Sequence, residues 1–258
     1  FSAQEGYSGA YAFAPLVGLL AVSGSAGEVR VWDLIQREAV TALIGEQTET
    51  SVLAFSVDGE RLAAGSNSGV ISVWAWREQE LLYTFSLPAA KGVARLAFSP
   101  NGNQLAAATD VDATLWSLES GELSATLATG AGGVDDVFIY SPDGKLILNA
   151  GSSETINLWE ADTGRLFAAF PNPNGESVAV AFAPDSQLLV TAVFLGEVNV
   201  WNLSDPQAGI GQAILPVEDN ILDVGWSPDA RTLALIEASG SVQVWGITPP
   251  EATPTPQS

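Results

Sequence analysis

Apolar residues come along the chain in short runs, each closed by Gly, Pro, Asn, Asp or Ser, with polar and apolar positions alternating inside many of them. The stretch from Tyr140 to Gly164 shows the grammar most clearly. Ser141-Pro142-Asp143-Gly144 carries Pro at the second and Gly at the fourth position of a turn, which suits a reversal between strands. Lys145 to Ala150 is an apolar run, Gly151-Ser152-Ser153 interrupts it, and Thr155 to Trp159 alternates before Asp162-Thr163-Gly164 turns again. No run has the length or the period of a helix, so the pattern predicts an almost wholly β chain.

The same grammar repeats. Trp32, Trp74, Trp116, Trp159, Trp201 and Trp245 lie 42, 42, 43, 42 and 44 residues apart, and each ends a strand of the V-x-V-W or I-x-L-W type. About 18 residues before each Trp stands one version of a single tetrapeptide turn. The six are Ala14-Pro15-Leu16-Val17, Ser56-Val57-Asp58-Gly59, Ser99-Pro100-Asn101-Gly102, Ser141-Pro142-Asp143-Gly144, Ala183-Pro184-Asp185-Ser186 and Ser227-Pro228-Asp229-Ala230. An aromatic residue precedes every one: Phe13, Phe55, Phe98, Tyr140, Phe182 and Trp226. A period of about 40 to 45 residues with four strands in each is the signature of propeller blades.

On these residues the chain resembles the WD-repeat β-propeller family, over residues 8 to 246. The resemblance implies six sequence-visible blades of four-stranded antiparallel sheet, with residues 1–247 as the propeller and 248–258 as a Thr/Pro-rich tail. It also implies a sixth blade completed by an amino-terminal strand, since Phe1 aligns with Phe85 and Phe170 at the end of a fourth strand and Trp245 leads directly into the tail. The amino-terminal portion is short for that task. The repeats are degenerate: only Trp32-Asp33 is a literal Trp-Asp pair, and the chain has no His, hence neither the family's Gly-His dipeptide nor its buried Asp-His-Ser/Thr-Trp chain. Apolar burial is therefore expected to hold each blade, with all six Trp residues largely buried as structural anchors.

Composition narrows the chemistry. Thirty acidic against 9 basic residues give a formal charge of −21, which argues against nucleic acid and against an anionic membrane surface, because phosphate groups call for Lys and Arg. Ala10 to Val22 is apolar but too short to span a bilayer, carries Pro15 and Gly18, and aligns with the first two strands of the other units, so no membrane insertion is expected. With neither His nor Cys there is no imidazole base, no thiolate and no His-rich zinc site, so no enzyme and no cofactor are expected. Paired carboxylates alone could serve glycoside hydrolysis. The available pairs, Asp110 with Asp112, Asp135 with Asp136 and Glu218 with Asp219, all fall in turns, where solvated acids are the ordinary expectation.

The placement of the acids carries more information than their number. Loops joining strand four to the next strand one, and strand two to strand three, leave a blade on one face. That face collects Glu28, Glu46, Glu49, Asp110, Asp112, Asp135, Asp136, Glu154, Glu176, Glu197, Glu218, Asp219 and Glu237, with Lys91 almost its only basic residue. A solubilising surface is one reading, and a docking face for a basic protein partner, or for weakly bound calcium, is the other. Phe194 and Leu195 interrupt the face with apolar groups where the equivalent loops read Ser66-Asn67-Ser68, Gly151-Ser152-Ser153 and Ala238-Ser239-Gly240, which makes them contact candidates or, alternatively, core. Trp76, an extra aromatic two residues beyond Trp74, is a further contact candidate near the rim, or packs on Arg77 or a neighbouring blade. Asn202-Leu203-Ser204 fits a glycosylation acceptor.

Taken together these features predict a non-enzymatic interaction or scaffold module. A structural subunit of an extracellular assembly and a carboxylate-dependent glycosidase-like propeller are the alternatives. The absence of Met and the Thr/Pro tail, of a composition common in stalks, predict an extracytoplasmic setting: secreted, periplasmic or surface-attached.

Overall fold

The computed structural model describes residues 7–14, 17–24, 27–45, 49–87, 91–129, 137–150, 155–171, 177–193, 197–203, 213–217 and 219–246. It divides into two compact units, Phe1–Pro171 and Asn172–Ser258. None of the described residues is helical.

The first unit holds four sheets, each of four antiparallel strands hydrogen-bonded in chain order. They are β1 (Tyr7–Ala14) to β4 (Glu38–Ile44) through β2 (Leu19–Gly24) and β3 (Glu28–Asp33), and β5 (Val52–Phe55) to β8 (Glu80–Ser86) through β6 (Arg61–Gly65) and β7 (Val70–Ala75). Next come β9 (Arg95–Phe98), β10 (Gln104–Ala108), β11 (Ala113–Ser117) and β12 (Leu123–Leu127), then β13 (Val137–Tyr140), β14 (Leu146–Ala150), β15 (Thr155–Glu160) and β16 (Leu166–Pro171). The second unit holds one four-stranded sheet, β17 (Ser177–Phe182), β18 (Leu188–Val193), β19 (Glu197–Asn202) and β20 (Ala213–Pro216). Its other sheet has three strands among the described residues, β21 (Ile221–Trp226), β22 (Thr232–Glu237) and β23 (Val242–Gly246). The residues expected to complete this sheet, Phe1 to Gly6, lie outside the described residues, as does the tail.

Burial explains the strand sequences. Second strands such as β6, β10 and β14 are buried along four consecutive residues because both their faces meet other sheets, which is why they read Leu-Ala-Ala rather than alternating. Fourth strands are mostly exposed and carry the polar residues. The apolar pair two and four residues around each third-strand centre packs on the first two strands of the following sheet. Ile71 and Val73 meet Phe98, Leu105 and Ala107, and Ala113 and Leu115 meet Phe138 and Ile147. Within the second unit Val198 and Val200 meet Ile221, Val224, Leu233 and Leu235.

Trp74, Trp159 and Trp201 are buried, whereas Trp32, Trp116 and Trp245 are half-buried, so complete burial of all six does not hold. At Trp32, Trp74, Trp116 and Trp159 the pairing of the third and fourth strands shifts register, a bulge that re-aims the ring at the outer end of the strand. A polar anchor also survives without His. Trp159 Nε1 donates to Asn149 Oδ1 at 2.7 Å and Trp201 Nε1 to Thr191 Oγ1 at 2.9 Å, both across to the second strand. Trp116 and Trp245 instead donate to Thr114 and Gln243, two residues back on their own strands. The lone Trp-Asp pair is explained by the turn that follows, in which Asp33 Oδ1 accepts from the Ile35 and Gln36 amides. Ser117 Oγ accepts from Glu119 and Ser120 in the same way.

The tetrapeptide turns are closed by their own side chains. In the third of the four first-unit copies to carry it, Ser141 Oγ donates to Asp143 Oδ1 at 2.7 Å and accepts from the Leu146 amide, while Asp143 Oδ1 also accepts from the Lys145 amide. Ser56 with Asp58, Ser99 with Asn101 and Ser227 with Asp229 repeat this. Burial pushes the Asp143 carboxyl up, but the Ser141 hydroxyl and the Lys145 amide and ammonium outweigh it, and the net value lies below the ordinary carboxylate range. Asp58 is lowered by the same balance.

Two outcomes follow. A carboxylate with a depressed native value contributes stability that is present above its unfolded value of about 3.9 and is lost as pH falls through the native one. Asp143→Asn keeps the Oδ1 acceptor, as Asn101 does, but loses the charge. In urea titrations the wild-type advantage over Asp143→Asn at neutral pH should shrink as pH falls below about 4; a difference constant over pH contradicts this. Gln79, exposed and at φ 56° in the turn where Gly121 and Gly164 stand at 75° and 67°, is held in the left-handed region. Relief of that strain, less the chain entropy of glycine, should make Gln79→Gly more stable by about 0.5–1 kcal/mol, read from the urea midpoint.

Candidate interaction face

In the first unit, three loops converge on an open depression of about 320 Å³ lined by Asn67, Lys91, Gly92, Val93, Ala94 and Asp110. Asn67 comes from the turn between β6 and β7, residues 91–94 from the segment entering β9, and Asp110 from the turn between β10 and β11. All are loops of the kind the sequence assigns to the acidic face.

Local hydrogen bonds fix the floor. The Val93 amide donates to Ser66 O at 2.9 Å, the Ala94 amide to Ala108 O at 2.8 Å, and Ser51 Oγ lies 3.0 Å from Val93 O and 3.1 Å from Gly65 O. Gly65 is required beneath it, because a Cβ there would stand 2.7 Å from a methyl of Val93. Ser66 Oγ bonds Ser68 Oγ and accepts from the Val70 amide, which holds the turn that presents Asn67.

Asp112 is committed inside the site. Its Oδ1 accepts from Thr109 Oγ1 at 2.6 Å, its Oδ2 accepts from Lys91 Nζ at 3.2 Å, and Thr109 Oγ1 in turn accepts from the amides of Val111 and Asp112. The Lys91–Asp112 pair is about one-third exposed on both sides, so it orients the lysine more than it stabilises the fold, contributing at most about 1 kcal/mol. Asp110 is exposed at the rim of the same depression. The charge left over after the internal pair is therefore negative, and it is displayed beside carbonyl and amide groups of Asn67 and the 91–94 segment.

Other acids of the face behave differently from one another. Glu28 pairs with Arg30 at 2.5 Å. Asp219, in the second unit, accepts from the Asn220 and Ser239 amides, which hold its carboxyl below the usual range. Glu237 is buried, not solvated, and accepts from Gln243 Nε2, so it is removed from the docking surface the sequence suggested. Asp135, Asp136, Phe194 and Leu195 lie outside the described residues, as do Glu46, Glu154, Glu176 and Glu218.

Trp76 is corrected. It is fully buried, donates from Nε1 to Gly59 O at 2.7 Å, meets Phe55 edge-on with centroids 6.5 Å apart, and is capped by the Arg77 guanidinium 4.4 Å from the ring centroid. An aromatic with every face engaged is a structural anchor for the second sheet's turns and offers no contact surface. The structure thus brings Asp110 and Asp112 together around Lys91 and withdraws Trp76. Sequence reasoning did not pick out Asn67, Gly92, Val93 and Ala94; the unusual Gly-Val following Lys91 was the available signal.

Among the described residues no group of three or more Asp or Glu converges as a metal ion would need, and no helix is long and apolar enough to cross a membrane.

The family model described as "WD domain, G-beta repeat" matches residues 39–75 and 79–116. Periodic tryptophan protein 2 of Arabidopsis thaliana is 22% identical over 192 residues, covering 74% of this chain and 21% of the relative. An uncharacterized WD repeat-containing protein of Synechocystis is 30% identical over 154 residues, covering 59% and 44%. Small ribosomal subunit protein RACK1y of Oryza sativa subsp. japonica is 31% identical over 146 residues, covering 54% and 43%. The chain thus spans less than half the length of each of these relatives. A chain in a solved structure titled "Crystal Structure of Mitotic Checkpoint Complex" superposes with a TM-score of 0.66 at 20% identity, over 89% of this chain and 71% of that one. That likeness shows the fold class, an all-β propeller.

Proposed function

The chain being a member of the WD-repeat family, we propose that it is a non-enzymatic module that holds a protein partner on the loop face around Lys91, Asp110 and Asp112. The observation that supports this most is the Lys91–Asp112 pair at the floor of the depression with Asp110 exposed at its rim. A shaped, polar cleft with one fixed cation and one free anion suits recognition of a peptide segment carrying Lys or Arg, whose charge meets Asp110 while its backbone reaches Asn67. A chain of formal charge −21 would draw such a segment in over long range. The printed names of two of the proteins it resembles, a ribosomal subunit protein and a mitotic checkpoint complex, likewise belong to assemblies.

Catalysis has no support in the residues: the sequence contains no His and no Cys, and Asp112 is tied up by Thr109 and Lys91. Calcium has less support than a basic peptide, because a hard cation needs several oxygens at one point. The composition and the Thr/Pro tail favour an extracytoplasmic setting, and fractionation of the source cells with an antibody against the chain tests that part separately.

Asp110→Lys should weaken capture of the partner from source-cell extract at least several-fold and leave the melting temperature unchanged. The association rate of wild type should fall as ionic strength rises, since charges further apart than about 8 Å are screened at physiological salt. Undiminished capture by Asp110→Lys, with no response of the rate to salt, contradicts the proposal.

A further inference from the structure

Five of the six sheets bury the apolar pair of their third strand. Val29 and Val31, Ile71 and Val73, Ala113 and Leu115, Ile156 and Leu158, and Val198 and Val200 are all buried. The sixth does not. Val242 and Val244, which stand two and one residues inside the same strand relative to Trp245's position, are 61% and 67% exposed, and Ile236 on β22 beside them is 40% exposed. At that second-strand position the other sheets carry buried small residues, Gly65, Ala108, Ala150 and Ala192.

The first sheet is bare on its opposite face. The cover that a third-strand pair receives comes from the first and second strands of the next sheet, through residues such as Phe98, Leu105 and Ala107 or Phe138 and Ile147. The equivalents on β1 and β2 are Tyr11, Phe13, Leu20 and Val22. Tyr11 and Phe13 are 66% and 55% exposed, packed edge-on to each other at 5.9 Å, and Leu20 and Val22 are half-buried. A contiguous apolar surface of this kind on a protein carrying 30 acidic residues is a contact surface and not a solubilising one.

We propose that the two bare faces are halves of one interface and that the occupant of each is a second copy of this chain, joined head to tail: Tyr11 and Phe13 of one copy cover Val242 and Val244 of the next. The chain itself displays the surface that covers a third-strand pair, so no foreign partner chemistry is needed. The contact is heterologous, with different patches on the two copies, and therefore allows chains longer than a dimer. Copies that each carry a formal charge of −21 repel one another, so added salt strengthens this association, opposite to its effect on the basic-partner docking proposed above.

The test is sedimentation velocity of the full chain over a range of concentration and salt. Wild type should form species beyond the dimer that grow with concentration and with salt. Tyr11→Asp removes one half of the interface and Val244→Asp the other, so each variant alone should sediment as a monomer. An equimolar mixture retains one intact half on each variant and should give a dimer and nothing larger. Both positions are exposed, and unchanged far-ultraviolet spectra and melting temperatures confirm that the variants fold; Phe13→Asp and Val242→Asp provide a second pair. A wild-type chain that stays monomeric to its solubility limit overturns the proposal, as does self-association that either variant leaves intact. A mixture that fails to dimerise, or that grows past the dimer, overturns the head-to-tail geometry. A monomer whose melting temperature drops with Val244→Asp assigns the face to another segment of the same polypeptide and also overturns it.

Discussion

Each sheet depends on the sheet that follows it. A four-stranded antiparallel sheet with two apolar faces cannot stand in water alone, and here the third-strand pair of one unit is sealed by the first two strands of the next. That constraint dictates the residue sizes. Where both faces of a second strand are covered, as in β6 and β10, the middle positions shrink to Ala, because two sheets approach from opposite sides. Where the approach is closest, even a methyl is excluded, as at Gly65 beneath Val93. The polar anchors on the Trp residues and the Ser/Asp turns fix the outer ends and the hairpins; they set geometry around a core whose main driving force is apolar burial.

The same constraint positions the candidate site. Because Gly65 lets the segment entering β9 lie directly on β6, the loops bearing Asn67, Lys91 and Asp110 meet at one depression. Thr109 then uses its hydroxyl to close the turn and to orient Asp112 toward Lys91. The floor is built from backbone groups and small residues, so its shape belongs to the fold, while its charge is set by two loop residues that can vary without disturbing the sheets. Function and stability are separated in this way between the ends of the strands and their middles.

Much of the fold was legible in the sequence because it is written six times. The Trp period, the aromatic before each turn and the Ser-Pro-Asp-Gly variants located the strands, and the acid-bearing turns between strands two and three placed Asp110 and Asp112 on one loop. Side-chain fate was less legible. Trp76 reads as an extra aromatic at a rim, and only the geometry shows that Gly59 O and Phe55 receive it. Glu237 reads as a turn acid, yet Gln243, six residues on, turns it inward. The expectation that blades without His rest on apolar burial missed Asn149 and Thr191, because nothing in a linear pattern tells an inward second-strand position from the one beside it until the register with Trp159 and Trp201 is known. Charge balance across the depression was invisible for the same reason: Lys91 and Asp112 stand far apart in sequence and meet only through the pairing of β9 with β10.

The central claim is that cover by a neighbouring sheet, more than strand pairing within a sheet, sets local stability. Native-state hydrogen exchange in dilute solution tests it directly, by comparing β22 with β6 and β10. All three are hydrogen-bonded to strands on both sides, but Ile236 of β22 is exposed where Gly65 and Ala108 are buried. The account predicts that β22 amides exchange far faster than those of β6 and β10, by local opening at a free energy well below that of the whole chain. Equal protection in the three strands would contradict it.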